Sequence, residues 1–472
     1  MRFQKRIVWI IGWMILWLMC PQGIMADTHR KHPQKGQILY RYRLLLADKQ
    51  GSHFSIDRPE EFLSAKALLR RARYGLSVDE YDLPVSEEYR AKLQALGLRI
   101  HVVSKWNNTV VVETNDTALL SDIRALPFVK AYRKVWTGCD TISASDNPVR
   151  YDDLAIARDT LTDFYGYGQH QIEMLSAQRL HSAGFMGEGM TIAVLDGGFL
   201  NADVIPWLQT ARILGTYNFV NRRRSVYAGA SHGTSVLSCM ATNVPQFFVG
   251  TAPSADYYLF QTEDGTSEQL VEEDNYVAAL ERADSLGVDV VTASLGYHYF
   301  DDPEMNHVYS EQDGLTAVNS FAASLAASRG MLVLNSAGNE GNDTWKKIGF
   351  PADAIDILTV GAVRADSVNT VFSSLGYTAD GRVKPDVMAQ GEATALLRST
   401  GRMAKGNGTS YSTPVMCGAV TCLWQAHRDK SPQEIIKAVR ASGHNVASPN
   451  EVYGYGIPDL WRAHKLLSEN QP

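Results

Sequence analysis

The second half of the chain alternates in a way that few folds satisfy: short, unbroken apolar runs are separated by segments with helical spacing. Thr191 to Leu195, Tyr257 to Phe260, Val288 to Thr292, Met331 to Asn335 and Ile357 to Val360 are rich in Val, Ile and Leu. Between several of them, apolar residues recur near a period of 3.6, notably over Glu268 to Leu286 and Leu315 to Arg329. A strand with no polar side must be covered on both faces, and in parallel sheets the crossover helices supply that cover. The predicted fold class is α/β, a parallel sheet with helices on both faces, and ligands in such sheets sit at the carboxyl ends of the strands.

The preceding region has a different order, and 472 residues exceed what one core usually supports. From Ile38 to Val135 the pattern reads strand, helix, helix, strand, strand, helix, strand. Tyr40 to Leu46 is the first strand, and Asp57 and Pro59 open a helix carrying Phe62, Leu63, Leu68 and Leu69. A second helix starts after Ser86 and stops at Gly97. Ile100 to Val103 and Thr109 to Val112 form a hairpin about Trp106-Asn107-Asn108. A short helix from Thr117 to Leu126 and a strand from Val129 to Tyr132 complete a small α+β unit, assigned to residues 37–137. Residues 138–160, with Ser143, Ser145, Asp146, Asn147 and Pro148, have linker chemistry and carry the expected processing site. Residues 161–468 are the α/β unit.

Arg2, Lys5 and Arg6 precede an apolar run from Ile7 to Met19, and Met25-Ala26 follows. This predicts a signal peptide over residues 1–26, hence export across the plasma membrane, because the run is short for a bilayer span and no second one follows. Cys20 offers a lipoprotein alternative, against which stands the lack of a small side chain at Leu18 and Met19. A net charge of -6 gives no reason to expect nucleic acid, and the runs Arg70-Arg71-Ala72-Arg73 and Arg222-Arg223-Arg224 read as solvated surface. Cys139, Cys239, Cys417 and Cys422 are too few and scattered for a disulfide scaffold, and most read as buried thiols, with a Cys239–Cys417 bridge the lesser alternative. There is no Cys-x-x-Cys or His-Glu-x-x-His, which disfavours zinc.

Four segments carry chemistry. Asp196-Gly197-Gly198 follows a buried strand, and His232-Gly233-Thr234 leads from a glycine-containing loop into an apolar helix. Ala337-Gly338-Asn339-Glu340-Gly341 closes the strand begun at Met331. Gly408-Thr409-Ser410-Tyr411-Ser412-Thr413-Pro414 enters another apolar helix, where Pro414 fits a first turn. Ser410 then meets the positive end of the helix dipole and free N–H groups, which favour a developing oxyanion. Each signal is weak alone; their order, Asp then His then Ser, is the informative part.

With Ala193-Val194-Leu195-Asp196, Ser294-Leu295-Gly296 and Tyr453-Gly454-Tyr455-Gly456 added, residues from about Gly187 to Asp459 resemble the subtilase family of serine proteases. The resemblance implies Ser410 as nucleophile, His232 as base, Asp196 as the residue orienting the imidazole, and Asn339 as oxyanion donor. It implies that Ser294, Leu295 and Gly296 pair with the backbone of a polypeptide substrate, with Ala337 and Gly338 in the opposite pocket wall. The α+β unit then resembles the family's propeptide, which assists folding and inhibits its own enzyme. No cofactor is needed for the chemistry. Asn243 to Phe248 lacks the oxygen ligands that many relatives carry there, so a structural calcium ion has no support. Gly197, Ser235 and Tyr411-Ser412 depart from the family pattern without removing a triad atom. His232 and Asn339 argue against a serine-carboxyl peptidase, which uses Glu and Asp in those places. A peptide-binding member without catalysis is the other rival, and Asn407-Gly408-Thr409 is a sequon to discount, because a glycan there obstructs Ser410.

Overall fold

Residues 37–139 and 163–469 are described by the computed structural model. The signal segment, Cys20 and most of the linker lie outside them. The first unit comprises β1 (Ile38–Leu46), α1 (Ala65–Arg73), α2 (Glu87–Ala95), β2 (Arg99–Ser104), β3 (Thr109–Thr114), α3 (Leu119–Ala125) and β4 (Val129–Cys139). Its sheet has the order β2-β3-β1-β4 with antiparallel pairs throughout. The element order is as expected, with two shifted boundaries. Pro59–Glu61 is a separate 3-10 turn, and α1 begins only after Ser64, whose hydroxyl caps the Ala67 N–H. β4 runs to Cys139, where Gly138 and Cys139 pair with Leu39 and Ile38. Gly138 and Cys139, assigned to the linker from the sequence, are therefore part of the strand. Backbone pairing extends the strand where no side-chain alternation announces it.

The second unit opens with α4 (Gln169–Glu173) and α5 (Ala177–Ser182), then β5 (Thr191–Asp196), β6 (Arg212–Asn218) and α6 (His232–Ala241). A small hairpin, β7 (Asn243–Val244) and β8 (Phe248–Val249), precedes β9 (Asp256–Gln261), α7 (Val271–Leu286), β10 (Val290–Ala293) and α8 (Val318–Ser328). There follow β11 (Leu332–Ser336), β12 (Leu358–Val363), β13 (Val387–Gln390), the hairpin β14 (Thr394–Leu397) and β15 (Met403–Gly406), and then α9 (Thr409–Ala426), α10 (Pro432–Ala441) and α11 (Leu460–Glu469). The seven-stranded sheet β13-β12-β11-β10-β5-β9-β6 is parallel at every pairing. Strand alternation divides the core: Ile192 and Val194 of β5 pack with Val236 of α6 and Val420 of α9, whereas Ala193 and Leu195 pack with Leu280 of α7 and Ala323 of α8. β6 and β13 were not foreseen. The first is a half-exposed edge strand and the second spans only four residues, too few to show a period.

The first unit seats its sheet on α7. Val102, Trp106, Val111 and Val135 share a core with Leu280 and Ala283, so the hairpin turn expected at Trp106 is buried. The expectation of a solvated arginine run fails for the same reason. Arg70 and Arg71 are buried, donating to Asp284 at 2.5 and 2.9 Å, and Lys105 joins them at 3.3 Å. Burial acts to raise the Asp284 pKa, but Lys105, Arg70 and Arg71 outweigh it and hold the carboxyl below its usual range. Arg43 pairs with Asp274 at 2.6 Å, and Arg222 donates to the His101 carbonyl at 2.7 Å. Partners more than 100 residues away decide which arginines are solvated.

Candidate active site

Asp196 is the last residue of β5 and is fully buried, so its carboxylate needs donors. The Gly197 N–H supplies one at 2.7 Å, and His232 Nδ1 lies 2.9 and 3.0 Å from the two oxygens. This network assigns the proton to Nδ1, leaving Nε2 as the acceptor. The Asp196 charge raises the His232 pKa above the ordinary histidine value, against burial acting the other way. His232 is the first residue of α6, and Gly233 lets that helix approach β5: a Cβ there would lie 2.6 Å from the Gly198 carbonyl and 2.9 Å from Asp196 Cβ. The Tyr411 ring flanks the imidazole at 5.7 Å.

Ser410 is the second residue of α9, entered from Gly408 at φ +146°. Its hydroxyl lies 3.5 Å from the Ser294 carbonyl and, among the described residues, is not hydrogen-bonded to His232. Both nonetheless line one open cleft of about 450 Å³ with Asn339 and Ser294 to Gly296, and in enzymes without substrate such bonds are often long. Pro414, expected in the first turn, lies in the second. It cannot donate to the Ser410 carbonyl four residues back, and the Ser294 hydroxyl does so instead at 2.8 Å. Ser294 thus holds the backbone of Ser410, a role the sequence reading missed.

Asn339 is oriented by a residue also missed. Its Oδ1 accepts from the Thr409 N–H at 2.9 Å and hydroxyl at 3.1 Å, so Nδ2 is left for a ligand on the exposed side. Gly338, at φ +111°, lines the cleft; a Cβ there would meet the Glu340 carboxylate and lie 2.7 Å from Ser374 Oγ. Ala337, expected in the wall, is fully buried behind it. Near Gly296 nothing but Gly349 and Phe350 backbone comes within 4.0 Å of where a Cβ would stand, so the cleft edge is open for an incoming chain.

The cleft is also lined by acids that no motif announced: Glu263, Asp264, Glu268 and Glu272. Burial and mutual proximity push Glu263 and Glu272 above the usual carboxylate range, and burial with Asp301 nearby pushes Glu268 up to about 7. Cys239 and Cys417 are buried and free, so packing and not a bridge accounts for them; burial pushes both thiols up to about 12. At the place weighed for calcium, Phe247 packs against Tyr167 and Trp207, with ring centroids at 5.8 and 4.7 Å.

Comparison with known proteins covers both units. A family model described as "Subtilase family" matches residues 187–456, and one described as "Peptidase S8 propeptide domain, Bacteroidota" matches residues 41–148. Subtilisin E of Bacillus subtilis (strain 168) is 30% identical over 259 residues, 54% of this chain and 61% of its own. Subtilisin of Bacillus pumilus is 29% identical over 295 residues, 62% of this chain and 97% of its own. The membrane-bound transcription factor site-1 protease of Rattus norvegicus is 27% identical over 311 residues, 64% of this chain and 27% of its own. The chain therefore spans about 61% of the length of the Bacillus subtilis relatives it matches. A solved structure of the protease domain of PatA aligns with TM-score 0.48 and 22% identity, over 61% of this chain and 98% of that one.

Proposed function

The chain belongs to the subtilase family, and on that premise we propose that it is a serine endopeptidase made as an exported, self-processed precursor. The observation that carries this reading is the buried Asp196 bonded to His232 Nδ1 in the cleft that also holds Ser410 and the uncommitted amide of Asn339. Ser410 Oγ attacks the scissile carbonyl while His232 Nε2 takes its proton. The resulting imidazolium is stabilised by Asp196, and the oxyanion by Asn339 Nδ2 and the Ser410 N–H at the start of α9. His232 then protonates the leaving amine, and water admitted to the same base hydrolyses the acyl-enzyme. Substrate backbone pairs along Ser294 to Gly296.

Residues 1–26 direct export, residues up to Cys139 act as propeptide and inhibitor, and cleavage falls between Cys139 and Asp163. Incubating the purified precursor with a diverse peptide library, then sequencing both the products and the new N-terminus, tests the reading. Cleaved peptides and a new terminus in that window are expected, both abolished by Ser410→Ala. A Ser410→Ala protein with wild-type peptidase activity would refute the assignment.

A further inference from the structure

We infer that the cleft selects substrates with a basic side chain before the scissile bond, with Glu263 and Glu268 as the residues that read it. The inference rests on the endopeptidase reading and adds the substrate class. The carboxyls of Glu263, Glu268 and Glu272 line the same cleft as Ser410, His232 and Asn339. Several buried carboxylates nearby have counter-ions: Asp274 has Arg43, Glu273 has His307, Asp284 has Arg70, Arg71 and Lys105, and Asp289 has Lys66. Glu281 instead accepts from the Ser104 hydroxyl and the Lys105 and Trp106 N–H groups. Among the described residues, no Lys, Arg or His forms an ion pair with Glu263, Glu268 or Glu272, although Glu272 is only 2% exposed.

The geometry of the wall is fixed. Glu272 accepts the Asp264 and Gln269 N–H groups at 2.7 and 3.1 Å, which fastens the loop between them to α7. Glu263 Oε1 accepts from the Thr262 hydroxyl at 2.8 Å and the Tyr297 hydroxyl at 2.5 Å. Its Oε2 has no hydrogen-bond partner among the described residues and is left to the cleft. The backbone of Glu268 is held by Asp301, whose Oδ2 accepts the Glu268 N–H at 3.1 Å and whose own N–H donates to the Glu268 carbonyl at 2.9 Å. Burial holds Glu263 and Glu272 toward their neutral form, and an arriving ammonium or guanidinium favours the ionised carboxylate, a gain that a neutral side chain does not offer. An acidic side chain in the same place is repelled.

The chain's own strand gives the wall its direction. Gln269, beside Glu268, holds the backbone of Thr137 by two bonds, of 2.8 and 3.1 Å. The end of β4 thus runs beside this wall, and a substrate following the same course lays the residues before the cut bond against it.

The test uses the processed full chain and quenched peptides that differ only in carrying Lys, Arg, Gln, Leu or Glu at each of the four positions before the bond. A fluorophosphonate titration of Ser410 counts active sites, so that misfolded fractions do not enter the rates. At one or more positions, Lys or Arg should exceed Gln in kcat/KM by at least about tenfold, roughly the effect of one ion pair. Glu263→Gln and Glu268→Gln should each pull that ratio toward unity, and Glu268→Lys should turn the preference toward Glu. Cleavage without a basic preference, or with one that survives both Gln substitutions, would overturn this inference alone. Failure to cleave any peptide, with Ser410 unlabelled, would overturn the endopeptidase reading with it.

Discussion

At the level of single residues, the cleft divides into groups that move protons and groups that hold them in place. His232 must be neutral to accept the Ser410 proton, and the Asp196 charge raises its pKa. The neutral form is therefore lost at a higher pH than for an ordinary histidine, near about 6.5. The acid limb of kcat/KM should inflect above that value, and Asp196→Asn should shift the limb downward while reducing kcat by about 10⁴. A pH–rate profile with its maximum near about pH 4 would exclude a histidine base. Asn339→Ala should leave the fold intact and reduce kcat by about 10²–10³, the usual worth of one oxyanion donor. Circular dichroism and steady-state kinetics separate the two effects. Asp196, His232, Asn339 and Ser410 were legible because each belongs to a short motif in a fixed order. Thr409 was not, since its role in clamping Asn339 depends on a contact across 70 residues.

Among the elements, α9 contains the clearest local compromise. Pro414 removes a helix bond at the Ser410 carbonyl, and Ser294, just after β10, supplies the missing donor. Ser294→Ala should leave that carbonyl unsatisfied and cost about 1–3 kcal/mol. Adding Pro414→Ala restores an N–H to the helix and should recover part of the loss. Urea unfolding of both variants in a Ser410→Ala background, where self-cleavage is absent, measures this. A loss unchanged by the second substitution would mean that the Ser294 bond does not replace the helix bond. Strands such as β5, β10 and β11 were readable as unbroken apolar runs because both their faces are buried. β6 lies at the sheet edge with one face half exposed, which dilutes the signal.

For the whole molecule, the propeptide unit is held to the catalytic unit by buried charge as well as by a shared core. Asp284 is the hub, taking two arginines and one lysine from the other unit. Asp284→Asn leaves Arg70 and Lys105 without their anion and Arg71 with Asp82 alone, and breaking a buried pair in this way costs about 3–5 kcal/mol. A separately expressed fragment of residues 38–139 should inhibit the mature wild-type enzyme, with inhibition fading as the fragment is cut. It should bind the Asp284→Asn enzyme at least about a hundredfold more weakly, as 1.4 kcal/mol is a factor of ten. Equal inhibition of both enzymes would show that the Asp284 cluster does not contribute to holding the units together. The sequence by itself determined the α/β class, the element order of the first unit and the candidates Asp196, His232, Asn339 and Ser410, because periodicity and short motifs are local properties. Only the tertiary structure decided that Arg70 and Arg71 are buried, that Ser294 supports the Ser410 backbone, and that Glu263, Glu268 and Glu272, without counter-ions, share the cleft with Ser410. Burial, counter-ions and hydrogen-bond satisfaction depend on neighbours distant in the chain, and no window along the sequence contains them.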